Sequence, residues 1–170
     1  VRWAALHGPI KTFGLAGVCD TLVITDNDEV ADSFEAKSSR LHLTRNNVFG
    51  LAAFEAVYTT GGPWLDDLLK LVETNARLLQ ERLPEQIQLI DLEGTYLAWL
   101  DFRELQLDVP ELADWLANTA RLGLSSGHWF GRDGAGFALI TITTPTEQIE
   151  EATARLVQAV DMIKPGFRRV

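Results

Sequence analysis

The chain is 170 residues long, 46% hydrophobic and 23% charged, with a net charge of -9 and one cysteine, Cys19. A chain of this balance buries a core without metals or disulfides, and a lone cysteine excludes an internal disulfide framework and points to a reducing, cytoplasmic compartment. No apolar run approaches the ~20 residues of a membrane helix, and the scattered lysines and arginines form no stripe for nucleic acid.

The first notable stretch is "GPIKTFGLAG" (8–17), which sets Lys11 in a flexible, apolar loop. Two readings are open for it: a lysine pointing into water, or a reactive amine held where a carbonyl compound can reach it. "CDTLVIT" (19–25) is rich in β-formers and reads as a strand. In "DNDE" (26–29) Asp26 is a helix cap with Glu29 three residues on, and the helix is expected to reach about Ser38. The segment 44–59 reads as a helix capped by Thr44 or Asn46. Its apolar residues run almost all round, so it is expected to be buried on more than one side.

"GGPWLDDLLKLVETNARLLQERLP" is the clearest helix: Pro63 sits in its first turn, Leu65, Leu68, Leu69, Val72, Ala76, Leu79 and Leu83 keep helical spacing, and Pro84 stops it. Strands follow at 87–90 and 95–102, then a helix opened by Pro110 and running to about 121, then a strand at 136–143. "TPTE" (144–147) is a capping box with Pro145 at the first helical position. The helix after it buries Ile149, Ala152, Leu156, Val160 and Ile163, and Pro165–Gly166 end it. From about residue 84 the order predicts an α+β unit with helices on one face of a small antiparallel or mixed sheet, within an α/β chain.

Several motifs fail on their spacing. A phosphate-binding P-loop needs Gly directly before its Lys and another six residues before it, where this chain has Ile10 and Ala5. "GRDGAG" (131–136) precedes a strand rather than following one, so it is a hairpin-like loop and not a dinucleotide site. His7, His42 and His128 are too far apart for a helical metal pair and no metal site is expected. "SSGH" (125–128) sets hydroxyls beside an imidazole, but sequence neighbours seldom form a nucleophile–base pair.

"KTFGLAG" resembles the segment "SKTFNLAG" that carries the cofactor lysine in the C–S β-lyase, cystathionine β-lyase-like branch of class I/II aminotransferases. "WLDDLLKLVETNARLLQERLP", "EGTYLAWLDF", "SSGHWFGRDGAGF" and "TITTPTEQIEEATARL" resemble later landmarks of the same family, in order. The resemblance covers about residues 8–161. It implies a fold type I pyridoxal-phosphate enzyme, with residues 1–60 a remnant of the large cofactor domain and 61–170 the small C-terminal domain. It implies that Lys11 forms the Schiff base with pyridoxal phosphate, is displaced by an incoming amino-acid substrate, and then moves its α-proton. An ammonium is a poor nucleophile, so a sheltered apolar site around Lys11 is expected.

The departures from the family are specific. Ile10 replaces the serine that precedes the lysine, Gly14 replaces an asparagine, and Leu139 stands where an arginine pairs with the substrate carboxylate. Arg132, in the loop before, is the candidate substrate-binding replacement. The family's cofactor-cradling half lies before its lysine, so the site is expected to need another chain or segment, in a homodimer or with a cofactor-cradling partner. The competing expectation is a catalytically degenerate domain that serves as a binding or assembly module.

Overall fold

The computed structural model describes residues 1–18 and 20–163. Cys19 and the expected stop at Pro165–Gly166 lie outside the described residues. The chain divides at Asp67/Leu68 into two compact units.

In the first unit, β1 (Ala5–His7) and β2 (Leu22–Ile24) pair antiparallel, with Leu6 opposite Val23. β1 was not expected, because three residues of "ALH" carry no strand pattern; pairing with β2 makes it a strand. Helix α1 (Asp28–Arg40) is capped by Asn27, whose Oδ1 accepts the Val30 N–H, rather than by the expected Asp26. Thr25 decides the difference: its Oγ1 accepts the Asn27 N–H and donates to the Trp3 carbonyl, which turns Asn27 into the cap position.

Helix α2 (Val48–Thr60) starts later than expected and is capped by Asn47, whose Oδ1 accepts the Phe49 N–H, not by Thr44 or Asn46. It is also not buried on several sides. Gly50 is its one buried residue, while Phe49 is 76% and Val48 72% exposed. Helix α3 (Gly62–Arg82) follows directly and runs across the boundary into the second unit.

The second unit is built on an antiparallel sheet in the order β3 (Gln88–Leu89), β4 (Leu97–Asp101), β6 (Phe137–Thr141), β5 (Ser125–Ser126). Alternation decides its faces: Ala98, Leu100, Ala138 and Ile140 are buried on one side, while Trp99, Phe137 and Leu139 lie on the other. The buried face joins one core with Leu78 and Leu79 of α3, Leu112 of α4 (Val109–Asp114), Trp115 and Leu116, and Ile149, Ala152 and Leu156 of α5 (Thr146–Asp161). The expected α5 stripe is therefore the one that packs.

Caps again show tertiary choice. α4 is closed by a full capping box between Asp108 and Glu111 and continues as a π-helical turn over Trp115–Thr119. At α5 the expected box is not formed: Pro145 occupies the cap itself and Thr144 bonds the Gln148 side chain instead. The Thr144 carbonyl is held by Asn75 of α3, which is fully buried and donates from Nδ2 to the Ile142 and Thr144 carbonyls at 2.8 and 2.9 Å.

Candidate functional site

The lysine loop joins β1 to β2. The Pro9 side chain is fully buried and its carbonyl accepts the Phe13 N–H at 3.0 Å, closing a turn with Lys11 at its centre. Phe13 fixes the far end: its ring stacks on Trp64 at 5.8 Å and meets the edge of Tyr58 at 6.2 Å, and Tyr58 in turn packs on Phe54. Two glycines admit the loop. A Cβ on Gly61 would lie 2.8 Å from Phe13 Cε1, and one on Gly50 would lie 2.3 Å from the Val18 carbonyl oxygen. The loop is thus pressed on α2 at its first turn and at its C-cap.

Lys11 itself is exposed, and its side chain makes no hydrogen bond or ion pair with the described residues. The expected apolar shelter around its amine is not formed by the described residues; the apolar contacts of the loop are made at Pro9 and Phe13 instead. Asp20, where the loop returns, has a buried Oδ2 without a hydrogen-bond partner, close to Gly50 in the first turn of α2. The positive end of the helix favours a carboxylate there.

The other sequence candidates stand in the second unit. Arg132 opens a short 3-10 turn (Arg132–Gly134), is exposed, and makes no side-chain bond with the described residues. Leu139 lies opposite Trp99 on β4 and Ser125 on β5. Around it the sheet face is aromatic: Trp99 stacks on Phe137 at 5.6 Å, and Phe130 meets Trp99 edge-on at 5.5 Å. Arg103 lies over the Phe137 ring at 4.7 Å, but its guanidinium is already engaged by Asp101.

Ser126 and His128 do meet, against expectation: Oγ and Nδ1 are 2.7 Å apart. β5 runs straight into a 3-10 turn (Gly127–Phe130), which bends residues two apart onto one another. No described side chain orients the other ring nitrogen, so the pair lacks the third member that nucleophilic catalysis uses. No group of three or more His, Cys, Asp or Glu is placed to hold a metal ion among the described residues, and no helix among them is long and apolar enough to cross a membrane.

No protein-family profile matches the chain. Individual relatives do. Protein MalY of Escherichia coli K12 is 27% identical over 166 residues, covering 95% of this chain and 43% of that protein. The cystathionine β-lyase PatB of Bacillus subtilis 168 is 30% identical over 156 residues, covering 89% and 40%. The crystal structure of cystalysin from Treponema denticola, which contains a pyridoxal 5'-phosphate cofactor, superposes with a TM-score of 0.84 at 29% identity, over 95% of this chain and 42% of that one. In sequence and fold the chain matches the C-terminal part of the fold type I, cystathionine β-lyase-like branch of the aminotransferases. It spans about two fifths of the length of the curated relatives it matches.

The sequence reading missed the parts that hold the loop. Trp64, Gly61 and Gly50 carried a signal, since glycines flanking an apolar helix beside a loop phenylalanine mark close approach. Asp20 carried none.

Proposed function

We propose that this chain is the lysine-bearing part of a pyridoxal-phosphate-dependent C–S lyase or aminotransferase that acts on an amino-acid-derived substrate in the cytoplasm. The observation that carries the reading is the unpartnered, exposed amine of Lys11 on a loop held by Pro9 and Phe13. A cofactor attached through its aldehyde needs a lysine that is free at its tip and fixed at its base, and the residues present fit that requirement. Pyridoxal phosphate, when bound, supplies the electron sink for a carbanion at the substrate α-carbon.

Within that scheme Lys11 would hold the cofactor, and its Nζ would take and return the substrate α-proton. The Phe13 clamp keeps the travel of Nζ short by fixing the backbone two residues away. Ile10 offers no hydrogen bond to a phosphate, so phosphate binding falls to another segment or chain, in a homodimer or with a cofactor-cradling partner. The exposed apolar side chains of α2 support association. Arg132 is the guanidinium proposed to meet the substrate carboxylate.

The test is borohydride reduction in the presence of pyridoxal phosphate, followed by peptide mapping. The cofactor mass is expected on the peptide carrying Lys11. Labelling spread equally over Lys37, Lys70 and Lys164 overturns the reading. The second reading, a degenerate binding or assembly domain, draws on Ile10 and Leu139; it requires that the assembled protein bind its partner but never label at Lys11.

A further inference from the structure

A groove of about 400 Å³ runs along the second unit between α3 and the edge strand β3, apart from the Leu139 face of the sheet. Its floor is aliphatic: Val72 and Ala76 from α3, Leu89 from β3, and Leu92 beyond it. Its rim carries two carboxylates, Glu73 and Asp91, against one guanidinium, Arg77, which reaches Glu73 only at 4.0 Å.

The backbone beside this groove is unsatisfied in a regular way. Gln88 pairs with Asp101, Leu89 with Leu100, and the Ile90 N–H bonds the Trp99 carbonyl at 2.9 Å. In an antiparallel ladder hydrogen-bonded and non-bonded pairs alternate, so the N–H and C=O of Leu89 point away from β4, out of the free edge. Neither bonds to any described residue. An edge with open donors and acceptors is a template for another strand.

We propose that this edge receives an extended polypeptide segment that pairs antiparallel with β3, opposite Leu89, with an aliphatic side chain on the groove floor and, two residues before it and so level with Asp91, a lysine or arginine. The period of two follows from strand geometry: the residue opposite Leu89 puts its side chain on the groove side and its N–H and C=O towards β3, and so does the residue two places along. The excess of carboxylate over guanidinium at the rim selects the basic residue. This assignment is independent of the lysine chemistry proposed above.

The experiment uses the isotope-labelled full chain and the acetylated, amidated pentapeptide Thr-Lys-Thr-Leu-Thr, followed by amide chemical shifts and hydrogen exchange. Shifts are expected between residues 69 and 95, with exchange at the Leu89 N–H slowed by about tenfold or more at saturation. Methylation of the peptide nitrogen at leucine should abolish binding, and at the threonines should not. The double variant Glu73→Lys, Asp91→Lys, both on exposed side chains, should lose this peptide and gain Thr-Glu-Thr-Leu-Thr. Absence of binding at millimolar peptide, binding without protection of Leu89, or binding indifferent to the charge exchange each overturns the proposal.

Discussion

Arg103 holds Asp101 through both carboxylate oxygens: Nε lies 2.9 and 3.0 Å from Oδ1 and Oδ2, and the terminal nitrogen 2.7 Å from Oδ2. The Arg103 backbone N–H closes the same carboxylate at 2.9 Å. Asp101 is the last residue of β4 and is buried, so this fork satisfies a carboxylate that would otherwise be left bare at the sheet end.

The fork makes part of the stability pH-dependent. The side-chain bonds from Arg103, ahead of its backbone bond and charge, hold the Asp101 carboxyl below the ordinary carboxylate range, against the opposing effect of burial. A lowered folded-state value contributes stability that is present above the unfolded value of ~3.9 and is lost as pH falls through the folded one. Thermal melts of wild type and Arg103→Met should therefore differ more at pH 7 than at pH values near and below the unfolded value. A gap that stays constant with pH would assign the loss to the Phe137 contact alone.

Phe13→Ala should loosen the lysine loop without unfolding the second unit. Two ring contacts are lost, at ~0.5–1.5 kcal/mol each beyond their area, so exchange of amides 10–18 should quicken by roughly tenfold or more. Gly61→Ala should do the same, because its methyl group would meet the same ring at 2.8 Å as well as the Val57 carbonyl oxygen at 2.5 Å. Unchanged exchange in both variants would mean that Pro9 alone holds the turn.

Asn75→Leu keeps the branched outline of a fully buried side chain but strips two carbonyls of their donor. The Ile142 bond is buried and the Thr144 bond partly so; a buried acceptor left bare costs ~1–3 kcal/mol, so the melting temperature should fall by roughly 5–15 °C. A smaller fall would show that water replaces the amide.

Leu139→Arg tests the proposed substrate anchor in the assembled enzyme. If a guanidinium at this place on β6 meets a carboxylate, affinity for a free amino acid should rise by about ten- to a hundredfold, the worth of a charge-assisted bond. Unchanged affinity, together with lost binding in Arg132→Ala, would give the role to Arg132.

The proposed association is checked by sedimentation at micromolar concentration. Phe49, 76% exposed on α2, can be replaced by Glu at little cost to the fold, yet the change should weaken a dimer or partner complex by at least about tenfold if the helix is at its interface. A wild-type chain that sediments as a monomer and binds no hydrophobic dye removes the argument.

What the sequence determined by itself were the elements with a repeating pattern. α3 and α5 could be drawn from their aliphatic spacing, and β4 and β6 from β-rich runs long enough to carry an alternation, because periodicity is a property of local geometry that burial then rewards. The kinship with cystathionine β-lyase-like enzymes was also legible, from "KTFGLAG" and "EGTYLAWLDF". Tertiary structure decided the rest. Asp26 and Asn27 are equally good caps in sequence, and a bond from Thr25 to Trp3 chose between them. α2 has an apolar sequence on nearly every side but is buried only at Gly50, because burial depends on what faces a helix and not on what it is made of. Ser126 met His128 and Arg103 gripped Asp101 across bends that no spacing rule encodes. Asn75 reaches carbonyls 67 and 69 residues away, a contact that exists only once the sheet has brought them beside α3.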